Sequence, residues 1–413
     1  MKVFLYNVSI LAYWVIALII TPFNLKARAF TLGRLRFWKR LKNDFANNNA
    51  PLAWFHCASL GEFEQGKPVI EAFKVRNPGH KILITFFSPS GYEQRKNYEG
   101  ADYIYYLPMD LPSNVNQFLD ATNPEIIFFV KYEFWYNYLS QIHKREIPLY
   151  NISGLFTSGH IFFKFYGGLH RKMLTFFTHF FVQNSASKTL LNQIDITNVT
   201  VSGDTRFDRV LQTIASPNHY PLIEKFKGNA QVIVIGSCWP EDMDVLYDFI
   251  NSAHENMKFI IAPHLVDDVH VKILEKDLQV AHVRISDAVE EEVVGKKVMV
   301  INTIGMLSSL YQYGEIAYIG GAFRDGVHNI LEAVAFGLPV IFGDKNLDKF
   351  PETLELIALG GAFSISNKAA ASAVLTKLTE SEDYRLAASG ISSNYIQDKS
   401  GATQTIIDQL VQA

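Results

Sequence analysis

The sequence contains few cysteines and no clustered metal ligands. Cys57 and Cys238 lie far apart, and no CxxC pair or Cys/His cluster occurs, so we expect neither a disulfide framework nor a structural zinc site. The net charge of −3 excludes a general attraction to nucleic acid. Hydrophobic residues make up 48% of the 413 residues, which favours about two or three packed domains over disorder.

Acidic residues are absent from residues 1–43, where an uncharged apolar segment, residues 3–20, precedes a basic one. The apolar segment is just long enough to cross a bilayer core of about 30 Å. The positive flank then places the rest of the chain in the cytoplasm. We therefore expect a single uncleaved anchor and a basic collar over residues 1–44, the alternative being a hydrophobic helix packed on a domain. The collar residues are Arg34, Arg36, Phe37, Trp38, Lys39, Arg40 and Lys42.

After residue 44, short apolar segments alternate with helical ones, which is typical of a parallel sheet covered on both faces. The pattern begins again at Gln231, after the turn-rich segment 216–221. We expect two doubly wound Rossmann-like α/β domains, residues 45–215 and 216–413, facing a cleft, with the last helix packing back on the first domain. Ligands should bind beyond the carboxyl ends of the strands. The predicted strands are residues 52–57, 81–87, 104–107, 125–130, 148–152, 179–183, 199–202, 231–236, 258–262, 279–284, 298–302, 316–319 and 339–342.

A carboxylate stands at a glycine turn in the segment Ser59-Leu60-Gly61-Glu62, where strand 52–57 gives way to a helix predicted over residues 66–76. Glu62 has two interpretations. The first is a helix-capping group that pairs with the amino terminus of the helix. The second is a general base at the mouth of a binding site.

A glycine-rich loop occurs in residues 320–343, between a strand and a helix predicted to begin near His328. Glycines allow a backbone to approach a phosphate, and Glu332 is placed to bond ribose hydroxyls. An ordinary βαβ turn is the alternative, but the whole combination favours a nucleotide-sugar site. It resembles the donor signature of two-domain glycosyltransferases of the B type (GT-B).

Two further polar features follow strands in the second half. Asp242 and Asp244 form a DxD pair, which we interpret as helix-dipole partners rather than as ligands of a divalent metal. His264 follows strand 258–262, and the sequence leaves a structural and a ligand-binding role equally open for it.

Together the motifs resemble those of 3-deoxy-D-manno-octulosonic acid (Kdo) transferases, which add Kdo to a lipid A precursor. The resemblance covers nearly the whole chain. Lys131, Ala262 and Asn302 depart from the family pattern. The matching segments are residues 56–62, 85–91, 107–112, 201–208, 302–307 and 320–343.

The resemblance implies inverting, direct displacement of CMP from CMP-Kdo by lipid IVA in lipopolysaccharide core biosynthesis, at the inner membrane and without a metal or cofactor. It implies that Glu62 is the catalytic general base. The implied substrate-binding residues are Ser59, Gly61, Ser88, Ser90, Glu133 and Arg206. The implied donor-binding residues are Ser237, His264, Ile304, Gly305, Met306, Gly321, His328, Asn329 and Glu332.

Two other functions remain open from the residues alone. One is a different GT-B transferase or a UDP-sugar 2-epimerase, which shares the sugar-nucleotide site but has no need for an anchor or for Ser59-Leu60-Gly61-Glu62. The other is a non-catalytic, membrane-bound sensor of sugar nucleotides.

Overall fold

The computed structural model describes residues 1–35, 37–46 and 48–410. Its strands are β1 (Leu52–Cys57), β2 (Lys81–Phe86), β3 (Tyr103–Tyr106), β4 (Ile126–Val130), β5 (Leu149–Gly154), β6 (His179–Val182), β7 (Val199–Val201), β8 (Gln231–Cys238), β9 (Met257–Pro263), β10 (His282–Arg284), β11 (Val298–Val300), β12 (Ile316–Ile319), β13 (Val340–Gly343) and β14 (Ala362–Ile365).

The helices precede, connect and follow these strands. They are α1 (Lys2–Ile20), α2 (Leu25–Leu35), α3 (Phe37–Phe45), α4 (Leu60–Arg76), α5 (Pro89–Arg95), α6 (Pro112–Thr122), α7 (Tyr136–Lys144), α8 (Gly168–Leu174), α9 (Ser185–Asn192), α10 (Thr205–Ala215), α11 (Pro221–Lys227), α12 (Pro240–Ser252), α13 (Asp268–Lys276), α14 (Glu290–Val293), α15 (Leu307–Leu310), α16 (Leu331–Ala335), α17 (Pro351–Leu359), α18 (Lys368–Glu380), α19 (Glu382–Lys399) and α20 (Ala402–Leu410).

The strands form two seven-stranded sheets in the described part of the chain, and their pairings are parallel. The strand order is β3-β2-β1-β4-β5-β6-β7 in the first sheet and β10-β11-β9-β8-β12-β13-β14 in the second. In β1, Trp54 contributes to the core on one face of the sheet and Phe55, stacked on Phe128 at 4.5 Å, to the core on the other. Both faces are therefore covered, as the apolar strand sequences predict. The doubly wound α/β fold class is confirmed.

The chain divides into two compact units, residues 1–209 with 400–413, and residues 210–399. The division falls inside α10, shortly before the turn-rich segment 216–221. Helix α20 belongs to the first unit, where it packs on α4. The Asp208 carboxylate accepts hydrogen bonds from the backbone N–H groups of Gly401 and Thr403, both at 2.6 Å, and so fixes the start of this helix.

Three local predictions are wrong. Helix α4 begins at Leu60 rather than at residue 66, because Ser59 and Glu62 close a capping box at its start. Helix α16 begins at Leu331, after the loop that contains His328, rather than near His328. Strand β14 was not predicted, since its four residues include a polar serine and follow two glycines.

The basic collar also differs from its prediction. Arg34 is buried, and its guanidinium donates to the carbonyls of Leu107 at 2.8 Å and Phe87 at 2.6 Å. It therefore ties α2 to the first sheet and is not available to lipid headgroups. Arg36 lies outside the described residues.

Candidate functional site

The first candidate site lies where the strand order of the first sheet reverses. Strands β1 and β4 are neighbours there, and the loops that follow them run to opposite sides of the sheet. Such a switch point opens a crevice beyond the carboxyl ends of the strands. Glu62 lies in the first turn of the helix that follows β1, and Glu133 lies in the loop that follows β4.

Glu62 is the third residue of α4 and is half-buried. Its Oε2 accepts a hydrogen bond from the Ser59 backbone N–H at 3.1 Å and another from the Ser59 hydroxyl. Helix capping is therefore what holds this side chain in place. Both bonds use one oxygen, and Oε1 makes no hydrogen bond within the described residues, which leaves it available to accept a proton.

Glu133 is held by a chain of polar groups that starts inside the sheet. Trp54 Nε1 donates to Thr85 Oγ1 at 2.8 Å, and Thr85 Oγ1 lies 2.9 Å from Nδ1 of the fully buried His56. His56 Nε2 lies 3.2 Å from Glu133 Oε2. Because the carboxylate only accepts, His56 donates through Nε2. His56 Nδ1 lies within hydrogen-bond distance of both Thr85 Oγ1 and the Thr85 carbonyl oxygen, the latter at 3.1 Å.

The two carboxylates share one neighbourhood. Burial raises the pKa of the Cys57 thiol well above its ordinary value, and the charges of Glu62 and Glu133 raise it further. Burial likewise raises the pKa of Tyr132, with Glu62 adding to the increase and Arg206 opposing it. The charges of Glu62, Glu133 and Arg206 therefore all contribute to the electrostatic environment at this edge of the sheet.

The other predicted acceptor residues lie on loops and helix starts that follow strands of the first sheet. The Ser88 backbone N–H donates to the Ala58 carbonyl at 2.7 Å, which joins the loop after β2 to the loop after β1. Ser88 Oγ and Ser90 Oγ lie 2.9 Å apart. Gly61 is exposed and lies two residues after Ser59. In α10, Arg206 Nε donates to Asp204 Oδ2 at 2.8 Å. These groups lie at the carboxyl edge of the first sheet, and their contacts with a substrate stay a prediction.

The second candidate site lies at the switch point of the second sheet, between β8 and β12. Strand β8 ends in a bulge where Ser237 has a positive φ of 52°. Gly320 lies so close to this bulge that a Cβ atom would be 2.4 Å from the Ser237 carbonyl oxygen. Gly321 has a φ of 100°. The first glycine therefore serves the contact of two loops, whereas the sequence suggested room for a phosphate.

Asp242 connects these loops and is fully buried. Its Oδ2 accepts from the backbone N–H groups of Trp239 and Gly321, both at 2.9 Å, and its Oδ1 accepts from the Tyr318 hydroxyl at 2.8 Å. Asp244 is exposed. The first acid of the DxD pair is thus a structural acceptor, and the described residues contain no group of three metal-ligating side chains.

Three rings form a stack beside these loops. His264 stacks on Trp239 with ring centroids 4.3 Å apart and on His328 at 4.6 Å. Trp239 Nε1 donates to His328 Nε2 at 3.1 Å, so His328 is neutral with its proton on Nδ1. Burial lowers the pKa of both histidines, helped by Arg324 for His264 and by His264 for His328. The stack offers a flat apolar surface for a base or a sugar.

The remaining predicted donor residues lie on two loops at the same sheet edge. Asn329 Nδ2 donates to Glu332 Oε1 at 2.9 Å, which orients that carboxylate in the first turn of α16. Glu332 also raises the pKa of the buried Tyr311, after the larger effect of burial. Residues 304–306 follow β11: Ile304 is 88% exposed, Gly305 has a φ of 90°, and Met306 is half-buried.

Sequence reasoning missed Trp239 and Thr85. Trp239 carries the ring stack, and its place directly after β8 and beside Ser237 was the available signal. Thr85 belongs to the matching segment 85–91, and it lies opposite His56 in the β1–β2 pairing. A polar residue in an otherwise apolar buried strand is the pattern that would have indicated the His56 chain.

Comparison with known proteins shows which proteins this chain resembles. Residues 33–209 match the family model of 3-Deoxy-D-manno-octulosonic-acid transferase (kdotransferase). The chain is 27% identical over 339 residues to the 3-deoxy-D-manno-octulosonic acid transferase of Aquifex aeolicus, covering 79% of this chain and 85% of that protein. The chain is therefore similar to Kdo transferases over most of its length, and it is a glycosyltransferase.

Of two further similarities, one covers only part of a longer relative and the other concerns only the fold. The chain is also 24% identical over 345 residues to a bifunctional glycosyltransferase/methyltransferase from Fusobacterium nucleatum, covering 80% of this chain but only 53% of that protein. It also resembles the structure of UDP-GlcNAc 2-epimerase from Neisseria meningitidis bound to UDP-GlcNAc, with a TM-score of 0.61, 16% identity, and coverage of 88% and 99% of the two chains. This second similarity concerns the fold, which is of the GT-B type.

Replacing Trp239 by Phe is expected to raise the pKa of His328, because the hydrogen bond that Trp239 donates to its neutral form is lost. A histidine pKa below its ordinary value means that the unfolded chain binds more protons. The second unit of the wild type should therefore lose stability as the pH falls below about 6.5. NMR titration of labelled histidine rings measures the shift. Tyr247→Phe, which removes only a bond to the Leu274 carbonyl, is the control. An unchanged His328 pKa in Trp239→Phe contradicts the assigned tautomer.

Proposed function

We propose that this protein moves Kdo from CMP-Kdo to the lipid A precursor lipid IVA in lipopolysaccharide core biosynthesis, by direct inverting displacement. The observation that supports it most is Glu62, which is fixed by its capping bonds at the switch point of the first sheet with Oε1 left unbonded. A sugar hydroxyl needs its proton removed as it attacks, which a carboxylate at this position is suited to do. Glu133 and Arg206 then bind and orient the acceptor.

The donor is proposed to bind at the second sheet. The ring stack of His264 and Trp239 suits the cytosine ring, and Glu332, oriented by Asn329, suits the ribose hydroxyl pair. Ser237, Gly321, His328 and residues 304–306 complete the proposed donor site.

The chain is proposed to act at the cytoplasmic face of the inner membrane, attached through its N-terminal segment. Helix α1 is long and apolar enough to cross a membrane. Attachment keeps the enzyme on the surface where its lipid acceptor is concentrated, and the basic residues near α1 attract anionic lipids.

The proposed reaction is tested by incubating the purified protein with CMP-Kdo and tetra-acylated lipid A precursor dispersed in detergent. We expect release of CMP and one or more Kdo residues on the lipid, detected by mass spectrometry. UDP-GlcNAc replaces CMP-Kdo in a parallel reaction. Transfer or epimerisation with UDP-GlcNAc, and none with CMP-Kdo, would overturn the proposal.

A further inference from the structure

The N-terminal helix α1 is docked on the first unit along one face. Tyr6 donates its hydroxyl to Asp110 Oδ2 at 2.7 Å, and Asn7 Oδ1 accepts from Asn137 Nδ2 at 2.8 Å. Further along the same face, Ile10 is buried and Tyr13 stacks on Phe87 with ring centroids 6.5 Å apart. These contacts cover about two turns at 3.6 residues per turn. The helix therefore lies along the protein rather than projecting from it.

The groups of the first unit that α1 contacts near its amino end, on Asp110 and Asn137, are polar and buried. Asp110 also accepts from the backbone N–H groups of Asn137 at 3.0 Å and Tyr138 at 2.9 Å, and burial raises its pKa to about 6. If α1 crossed a bilayer, its amino end would leave this site, and Tyr6 and Asn7 would enter hydrocarbon without these partners. Unpaired polar groups are costly there.

The opposite face of α1 is an uninterrupted exposed apolar stripe. It ends in Phe23, which is 87% exposed, and consists of Phe4, Leu5, Val8, Leu11, Val15, Ile16, Ile19 and Phe23. A stripe of this length on the surface of a folded unit indicates contact with something apolar. Because residues 1–43 contain no acidic residue, a bilayer with anionic headgroups is the occupant that fits the charge.

A second element continues this surface beyond the amino end of α1. The turn between Lys164 and Gly167 is closed by a backbone hydrogen bond of 2.9 Å, and it exposes Phe165 by 92% and Tyr166 by 61%. Arg171 fixes the turn by donating to the Lys164 carbonyl at 2.8 Å. A methyl group on the nearby Gly168 would lie 3.6 Å from Lys2 Nζ, so the aromatic turn and the start of α1 are adjacent.

We propose that α1 lies in the plane of the membrane, docked on the first unit, and that the Phe165–Tyr166 turn inserts beside it at headgroup level. Interfacial helices place their apolar face at the boundary between headgroups and acyl chains, and aromatic residues favour the same depth. The first unit is then held against the bilayer at two points. The inference rests on the proposed membrane attachment and concerns its geometry.

Cysteine labelling tests the orientation of α1. Lys2→Cys and Lys26→Cys place thiols before and after the helix, and the native Cys57 and Cys238 are buried. In sealed inner-membrane vesicles, a membrane-impermeant maleimide should label both positions from the cytoplasmic face only. Labelling of Lys2→Cys from the periplasmic face, or from neither face until detergent is added, overturns the in-plane arrangement. Lys26→Cys is the control, because it is cytoplasmic in either arrangement.

Vesicle flotation tests the aromatic turn. The double variant Phe165→Ser with Tyr166→Ser should partition at least about tenfold less onto vesicles containing phosphatidylglycerol at limiting lipid, because burying one such side chain is worth about 1.5–3 kcal/mol. Val75→Ser, which changes a side chain that is 83% exposed on α4, should partition as the wild type does. Equal partitioning of the double variant and the wild type overturns the role of the turn. Kdo transfer to detergent-dispersed acceptor should be unchanged in both variants, since it does not depend on vesicle binding. If the wild type also fails to transfer Kdo, that result counts against the proposed function and not against the membrane arrangement.

Discussion

Replacing Glu62 by Gln is expected to reduce kcat for Kdo transfer by about 10²–10⁴-fold, the usual contribution of a general base. Glutamine is accepted at the third position of a capping box, so the amide can keep the bond from the Ser59 backbone N–H. The start of α4 should therefore persist while the proton acceptor is lost. Turnover is measured with CMP-Kdo and detergent-dispersed acceptor, and CMP binding by calorimetry should remain unchanged.

Glu64→Gln is the matched control for this experiment. Glu64 lies two residues further along α4 and is paired with Arg95 at 2.7 Å and Arg209 at 3.0 Å. These bonds lower its pKa against the opposing effect of burial, so it is a poor proton acceptor. We expect this variant to keep its turnover within a few-fold of the wild type. Near-normal turnover in Glu62→Gln would remove Glu62 from the mechanism, whereas equal losses in both variants would indicate damage to α4.

The sequence predicts the strands well because each buried strand is a short, continuous apolar segment. The predicted strand 52–57 has the bounds of β1, and strand 316–319 has those of β12. The helix starts were less predictable. The sequence predicted a turn at Gly61, a poor helix former, and a helix that starts only at residue 66. The capping bonds of Ser59 and the packing of Gly66 on Cys57 and Val130 outweigh that preference.

The two candidate sites differ in how far the sequence defines them. The position of Glu62 follows from local rules, since a strand, a glycine turn and a capping pair are consecutive in the chain. The His56–Glu133 contact joins residues 77 positions apart, and only the pairing of β1 with β4 brings them together. The sequence suggested that Gly320 leaves room for a phosphate. The space beside Gly320 is instead filled by atoms of Ser237 and Cys238, which lie at the end of β8 and are distant in the chain.

Replacing Asp242 by Ala is expected to destabilise the second unit by about 3 kcal/mol or more, because three buried donors lose their acceptor at about 1–3 kcal/mol each. These donors are the backbone N–H groups of Trp239 and Gly321 and the Tyr318 hydroxyl. The loss is large beside the total stability of a domain, about 5–15 kcal/mol. Chemical denaturation of the purified protein measures it, and the affinity for CMP should fall with it, since the loops after β8 and β12 separate.

Asp244→Ala distinguishes this structural role from metal binding. Asp244 is exposed, so its removal should change the free energy of unfolding by no more than about 0.5 kcal/mol and leave transfer unchanged. A metal site built on the DxD pair would need both carboxylates, and transfer would then be lost in each variant and in the presence of a chelator. Asp242→Asn keeps one acceptor oxygen and should be intermediate in stability. The free energy of unfolding should increase from Asp242→Ala to Asp242→Asn to the wild type, and Asp244→Ala should equal the wild type. This result follows only if Asp242 acts as the hydrogen-bond acceptor that joins the two loops.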